Sequence, residues 1–160
     1  MKLKDLFTIA VAYLRGFFCV RLFKIDDNLY QSGHLTGLLT PWMLRRNKIY
    51  HIVDLSGDID KVHKQCVWFR YWPIWDNGLP DLDELWRVAG EANEMSQLGH
   101  NVIVHCSGGC NRSSLVNGCI LYLRGYRGRD IVKKIRSGRP GALTNWVFEG
   151  YLNALNNDEG

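Results

Sequence analysis

The segment that most constrains the fold is one in which an apolar strand pattern, Asn101-Val-Ile-Val-His105, breaks directly into Cys106-Ser-Gly-Gly-Cys-Asn111 and then into a helical pattern from Ser113 to Arg124. A strand that feeds a tight glycine-bearing loop and then a helix start presents a curved run of backbone N–H groups at the positive end of a helix dipole, which is an anion cradle. Gly108 and Gly109 let such a loop curve inward without a Cβ clash. Arg112 stands where its planar guanidinium can close the ring on an anion with two parallel hydrogen bonds. The segment therefore predicts an α/β unit with its chemistry at the carboxyl end of a strand, just after His105.

The rest of the chain agrees. Tyr50 to Leu55 and Val67 to Ile74 are further β-branched or aromatic runs bounded by turn signals, and a short strand is expected near Leu29-Tyr30-Gln31. Thr40-Pro41 opens a helix toward Asn47, with proline in the first turn. Asp81 to Leu98 carries apolar residues at Leu82, Leu85, Trp86, Ala89, Ala92 and Met95, a helical period with acidic residues in its first turn; Asp81 and Asp83 are read as caps. Two more helices are expected over about Arg129 to Arg136 and Thr144 to Asn156. Strand and helix alternate, so the expectation is one α/β domain with a central, mostly parallel sheet flanked by helices.

The chain divides into an N-terminal helical pattern over residues 3–23, assigned with residues 1–25 to an amphipathic helix packed on the domain, and a domain over 26–160. The apolar run Leu6 to Leu14 imitates a secretory signal, but Arg15 follows directly without a small-residue cleavage site. It is also far short of the roughly 20 residues a membrane span needs. Lys2, Lys4, Arg15 and Arg21 would allow the same helix to touch a membrane surface. A cytoplasmic setting is expected from the cysteines, an odd set of five without metal-ligand spacing. Cys19, Cys66 and Cys119 lie in apolar surroundings that suit core thiols. The net charge of +4 is scattered, which suits an anionic substrate and argues against nucleic acid as partner.

In the loop, Cys106 sits at the centre of the N–H dipoles, a setting that favours the nucleophilic thiolate. Ser113 can hydrogen-bond its sulfur, and His105 braces the loop. The backbone of Ser107, Gly108, Gly109, Cys110 and Asn111, with Arg112, forms the phosphate cradle. These residues resemble the protein tyrosine and dual-specificity phosphatases, whose signature is His-Cys, five residues with glycine three after the cysteine, then Arg-Ser or Arg-Thr; Gly109 holds the glycine position.

The resemblance implies the family's fold and a phosphocysteine intermediate formed by Cys106 without metal or cofactor. It also implies a general acid on an upstream loop, and Trp72-Pro-Ile-Trp-Asp76-Asn-Gly-Leu-Pro80 is similar to that loop, with Asp76 as the acid. Asn28 to Gly33, Ile52 to Ser56, and Arg139-Pro140 with Asn145, Phe148 and Leu152 extend the likeness. Asn145 either holds an active-site loop in place or positions water, or else it is a helix-cap or turn asparagine, and these readings stay open. Ser114, where many members have glycine, and Cys110 depart from the pattern. The substrate implied is a phosphorylated protein. The alternatives are a phosphate-binding module without turnover and, from Asn111-Arg112, a phosphatase of RNA 5′ ends. Cys110 or Cys66 is a candidate to capture an oxidised Cys106 as a disulfide.

Overall fold

The computed structural model describes residues 20–59 and 61–156. The expected N-terminal helix lies outside the described residues as far as 19. Beyond that point the expectation fails, because residues 20–22 are irregular and Phe23–Asp26 form a strand, β1. Phe23 and Ile25 alternate with Lys24 and Asp26, a period of two that the apolar residues upstream obscure. β1 turns through Asn28, which takes the left-handed conformation that asparagine tolerates (φ 54°), into β2 (Leu29–Ser32) and pairs with it antiparallel.

The other strands are β3 (Ile49–Asp54), β4 (Trp68–Tyr71) and β5 (Asn101–His105), and the sheet order is β1-β2-β5-β3-β4. All neighbours except β1 and β2 run parallel. Central β5 is covered on both faces, and Val102, Ile103 and Val104 are fully buried, which is why it reads as an unbroken apolar run. β4 ends at Tyr71 rather than continuing to Ile74. Pro73 has no N–H for the ladder, and the chain leaves through Trp72 N–H to the Asp54 carbonyl (2.9 Å).

One face carries helices α2 (Leu82–Gln97), α3 (Arg112–Leu123), α4 (Gly128–Gly138) and α5 (Trp146–Ala154) over a core that includes Leu85, Val88, Leu115, Ile120, Ile131 and Phe148. α1 (Thr40–Arg46) and a 3₁₀ turn (Lys61–Gln65) flank a smaller cluster of Leu35, Met43, Leu44, Ile49, Ile52, Val62 and Ile103. Asp81 caps α2 as expected, accepting from Glu84 N–H at 2.8 Å. Glycine at 118 lets α5 close on α3, since a Cβ there would fall 2.4 Å from Leu152 Cδ2. The Asp26 carboxylate takes Arg124 (2.7 Å) and Lys134 (3.0 Å), tying β1 to the helical layer. Among the described residues no helix is long and apolar enough to cross a membrane.

Candidate active site

β5 delivers Cys106 to the carboxyl edge of the sheet, and α3 begins at Arg112, so the loop between them caps a helix N-terminus. The Cys106 side chain is almost wholly covered, and its Sγ accepts from Gly109 N–H at 3.2 Å and faces Ser113 Oγ at 3.4 Å. The Arg112 guanidinium reaches Leu55 O (3.3 Å), Ile74 O (3.2 Å) and Ser107 Oγ (2.9 Å). Its buried Nε has no hydrogen-bond partner among the described residues, which leaves a cationic donor for an anion.

The loop's shape comes from how its carbonyls are held. Ser107 O accepts from His34 N (3.2 Å); Gly109 O accepts from Gln31 Nε2 (3.0 Å) and Arg139 Nε (3.1 Å); Cys110 O accepts from Ser114 Oγ (2.7 Å) and Leu143 N (2.9 Å). A planar trans peptide points its N–H opposite to its C=O. Anchoring these carbonyls therefore turns the N–H groups of Gly108, Cys110 and Asn111 the other way. Gly109 needs to be glycine, with φ 62° and a would-be Cβ 2.5 Å from Gly33 N. Gly108 does not: a Cβ there meets nothing, so the sequence argument holds for one of the two glycines.

Ser114 acquires a reason as well. Its hydroxyl accepts from Gln31 Nε2 (2.8 Å) while donating to Cys110 O, and Asn117 Nδ2 donates to Gln31 Oε1 (2.9 Å), all fully buried. Sequence reasoning missed this scaffold; its one signal was a polar serine and asparagine inside an otherwise apolar helix. His105 lies beneath the loop, fully buried with Nε2 3.4 Å from Asp54 Oδ1, and that carboxylate also accepts from Ser56 N (2.9 Å) and Oγ (2.6 Å). The Asp54 contacts are structural hydrogen bonds to Ser56, and His105 packs against that carboxylate.

The loop from Trp72 to Pro80 lies against the cradle and brings Asp76 to it. Asp76 Oδ2 accepts from Asn111 Nδ2 (3.0 Å), and Oδ1 accepts from Asn145 Nδ2 (2.9 Å). Asn145 thus contacts Asp76 and also caps α5, its Oδ1 accepting from Val147 N (3.0 Å). Asn111 belongs to the cradle by its backbone, yet its Oδ1 accepts from Thr144 N (2.8 Å), Thr144 Oγ1 (3.1 Å) and Asn145 N (3.0 Å).

The two candidate resolving thiols separate. Cys110 Sγ lies in the loop, accepting from Arg139 (3.1 Å). Cys66 just precedes β4, whose Trp68 is level with His51 and hence with Val102, whereas Cys106 follows the far end of β5. At ~3.3 Å per residue that is more than ~13 Å along the strands, beyond the ~7 Å limit for a disulfide, so Cys66 is excluded as partner. Burial pushes its thiol up to about 11. Burial likewise raises Cys119 far above the ordinary thiol range.

Comparison with known proteins places this geometry. The family model for cyclin-dependent kinase inhibitor 3 (CDKN3) matches residues 44–128. The rat cyclin-dependent kinase inhibitor 3 is 37% identical over 49 residues, a match covering 31% of this chain and only 23% of that relative's length. Among solved structures, Tk-PTP in its active form aligns with a TM-score of 0.73 at 26% identity, over 84% of this chain and 95% of the other. Human DUSP28 has the same fold, with a TM-score of 0.70 at 20% identity over 82% and 89% of the two chains.

Proposed function

The chain belongs to the cyclin-dependent kinase inhibitor 3 family, a branch of the dual-specificity-type cysteine phosphatases, and from that premise we propose that it hydrolyses phosphomonoesters on phosphorylated proteins through a cysteinyl-phosphate intermediate. The observation that carries the proposal is the convergence on one loop of the covered Cys106 sulfur, the Ser113 hydroxyl, the unpaired Arg112 Nε and the Asp76 carboxylate.

In this reading the Cys106 thiolate attacks phosphorus while the loop N–H groups and Arg112 hold the phosphoryl oxygens, where charge grows in the transition state. The P–O bond breaks, and Asp76 gives its proton to the departing oxygen. Water then attacks the phosphocysteine and passes a proton back to Asp76. The S–P bond breaks with the sulfur steadied by the Ser113 hydroxyl, and phosphate leaves. No step calls on a metal.

Protein phosphoesters suit the cradle better than polyphosphorylated headgroups. The interior from Ser107 to Asn111 contains no lysine or arginine, and Arg139, brought alongside, is occupied by Gly109 O, Pro140 O and Cys110 Sγ. Release of nitrophenol from para-nitrophenyl phosphate without added metal tests the reading. Arg112→Lys should lower kcat/KM by roughly 10–100-fold, the worth of a charged bidentate contact. Reduced protein that binds a phosphopeptide but releases no nitrophenol would identify a binding module instead.

A further inference from the structure

We propose that Asn111 is a positioning residue for the acid step, its side-chain amide setting where Asp76 stands relative to the phosphate cradle; this rests on the phosphatase reading above. The loop that carries Asp76 is held at its start, where Ile74 O accepts from Arg112 Nη1 (3.2 Å), and is exposed just beyond that point. Trp75 is 84% exposed, Asp76 and Asn77 are exposed, and Ile74 is the nearest buried anchor in sequence. The carboxylate is held by two amides, from Asn111 and Asn145.

Of the two, Asn111 has the more direct connection. It belongs to the loop that would carry the phosphoryl group and is adjacent to Arg112, so a single side chain spans from cradle to acid. Its other end is fixed as well, because Oδ1 accepts from three donors at Thr144 and Asn145. One amide thus joins the phosphate loop, the acid loop and the start of α5, using its donor for one and its acceptor for the other. Proton transfer requires the acid within hydrogen-bond reach of the leaving oxygen, and a displacement of about 1 Å can cost ~100-fold in rate.

The two halves of the amide can be separated. Asn111→Asp is isosteric and keeps an oxygen for the Thr144 and Asn145 donors, but it removes the Nδ2 donor and sets a carboxylate against Asp76. Turnover of a phosphotyrosyl peptide, a poor leaving group, should fall at least ~10-fold further than turnover of para-nitrophenyl phosphate, up to the ~10²–10⁴-fold an acid contributes. The added negative charge beside the cradle should raise KM for both substrates alike, so the leaving-group dependence is read from kcat. In an Asp76→Asn background the Asn111→Asp change should add no further leaving-group dependence. Amide hydrogen exchange over residues 74–78 should be faster in the variant.

Equal losses for both substrates, or full additivity with Asp76→Asn, would overturn the inference by making Asn111 a general support of the cradle. If the wild-type protein turns over neither substrate, the phosphatase reading fails, and exchange decides alone: unchanged protection over 74–78 sinks the inference, while faster exchange sustains Asn111 as the tether of that loop.

Discussion

The phosphate loop and the acid loop meet at one site but are held in opposite ways. The phosphate loop rests on buried Gln31 and Ser114, backed by Asn117, and on the partly exposed Arg139, which together hold its carbonyls from behind. The acid loop lies on the surface, and two side-chain amides fix its carboxylate. The difference suits the tasks proposed for the two loops. A cradle gains rate from donors that need no reorganisation as charge develops, and such donors need a rigid support. An acid loop placed over the phosphate has to admit substrate and release product, which weaker, exposed tethers permit.

If the cradle's rigidity matters most, the largest effect should come from distorting its backbone. Gly109→Ala requires a side chain in the left-handed region and 2.5 Å from the Gly33 backbone. We expect turnover to fall by more than ~100-fold, consistent with the loss of preorganised donors, while circular dichroism reports a folded chain. Near-normal rates would mean that the loop tolerates movement and that the contrast is false.

The acid loop should respond selectively. Asp76→Asn should slow a phosphotyrosyl peptide by roughly 10²–10⁴-fold and para-nitrophenyl phosphate far less. Equal losses for good and poor leaving groups would assign the proton to another residue.

The smallest effect concerns the opposite end of the sheet and separates folding from catalysis. Burial, reinforced by the stacked His100 ring, holds the His51 imidazole below its ordinary range, so the fold favours the neutral ring. The unfolded chain then takes up the proton first as pH falls. This contribution to stability is complete above about pH 6.5 and declines below it. Thermal melts should therefore show a modest loss of Tm between neutral and mildly acidic pH that His51→Phe flattens. A decline unaltered in that variant would place its origin elsewhere.

Much of this was legible from residue order. The run from Asn101 to Ser113 carries its own strand, turn and helix start, so the position of the candidate site at a strand's carboxyl end follows from local chemistry, whereas the sheet order does not. β1 was not legible, because Phe23 and Ile25 continue an apolar N-terminal stretch whose helical spacing masks a strand of four residues. The scaffold was not legible either. Gln31 and Ser114 are 83 residues apart, and only the pairing of β2 with β5 brings them together. Asn145 looked like either a cap or a loop holder because a single residue type suits both, and its Oδ1 caps α5 while its Nδ2 reaches Asp76.

The central claim is that Cys106 carries the phosphoryl group. The direct measurement is acid quenching of the protein during turnover of para-nitrophenyl phosphate, followed by mass mapping of the peptide that contains Cys106. The account predicts one phosphoryl group on Cys106 in the wild-type protein, more of it with poor-acid variants such as Asp76→Asn in which breakdown is slowed, and neither label nor turnover in a folded Cys106→Ser protein. Sustained turnover by Cys106→Ser, or wild-type turnover that never labels Cys106, would contradict it.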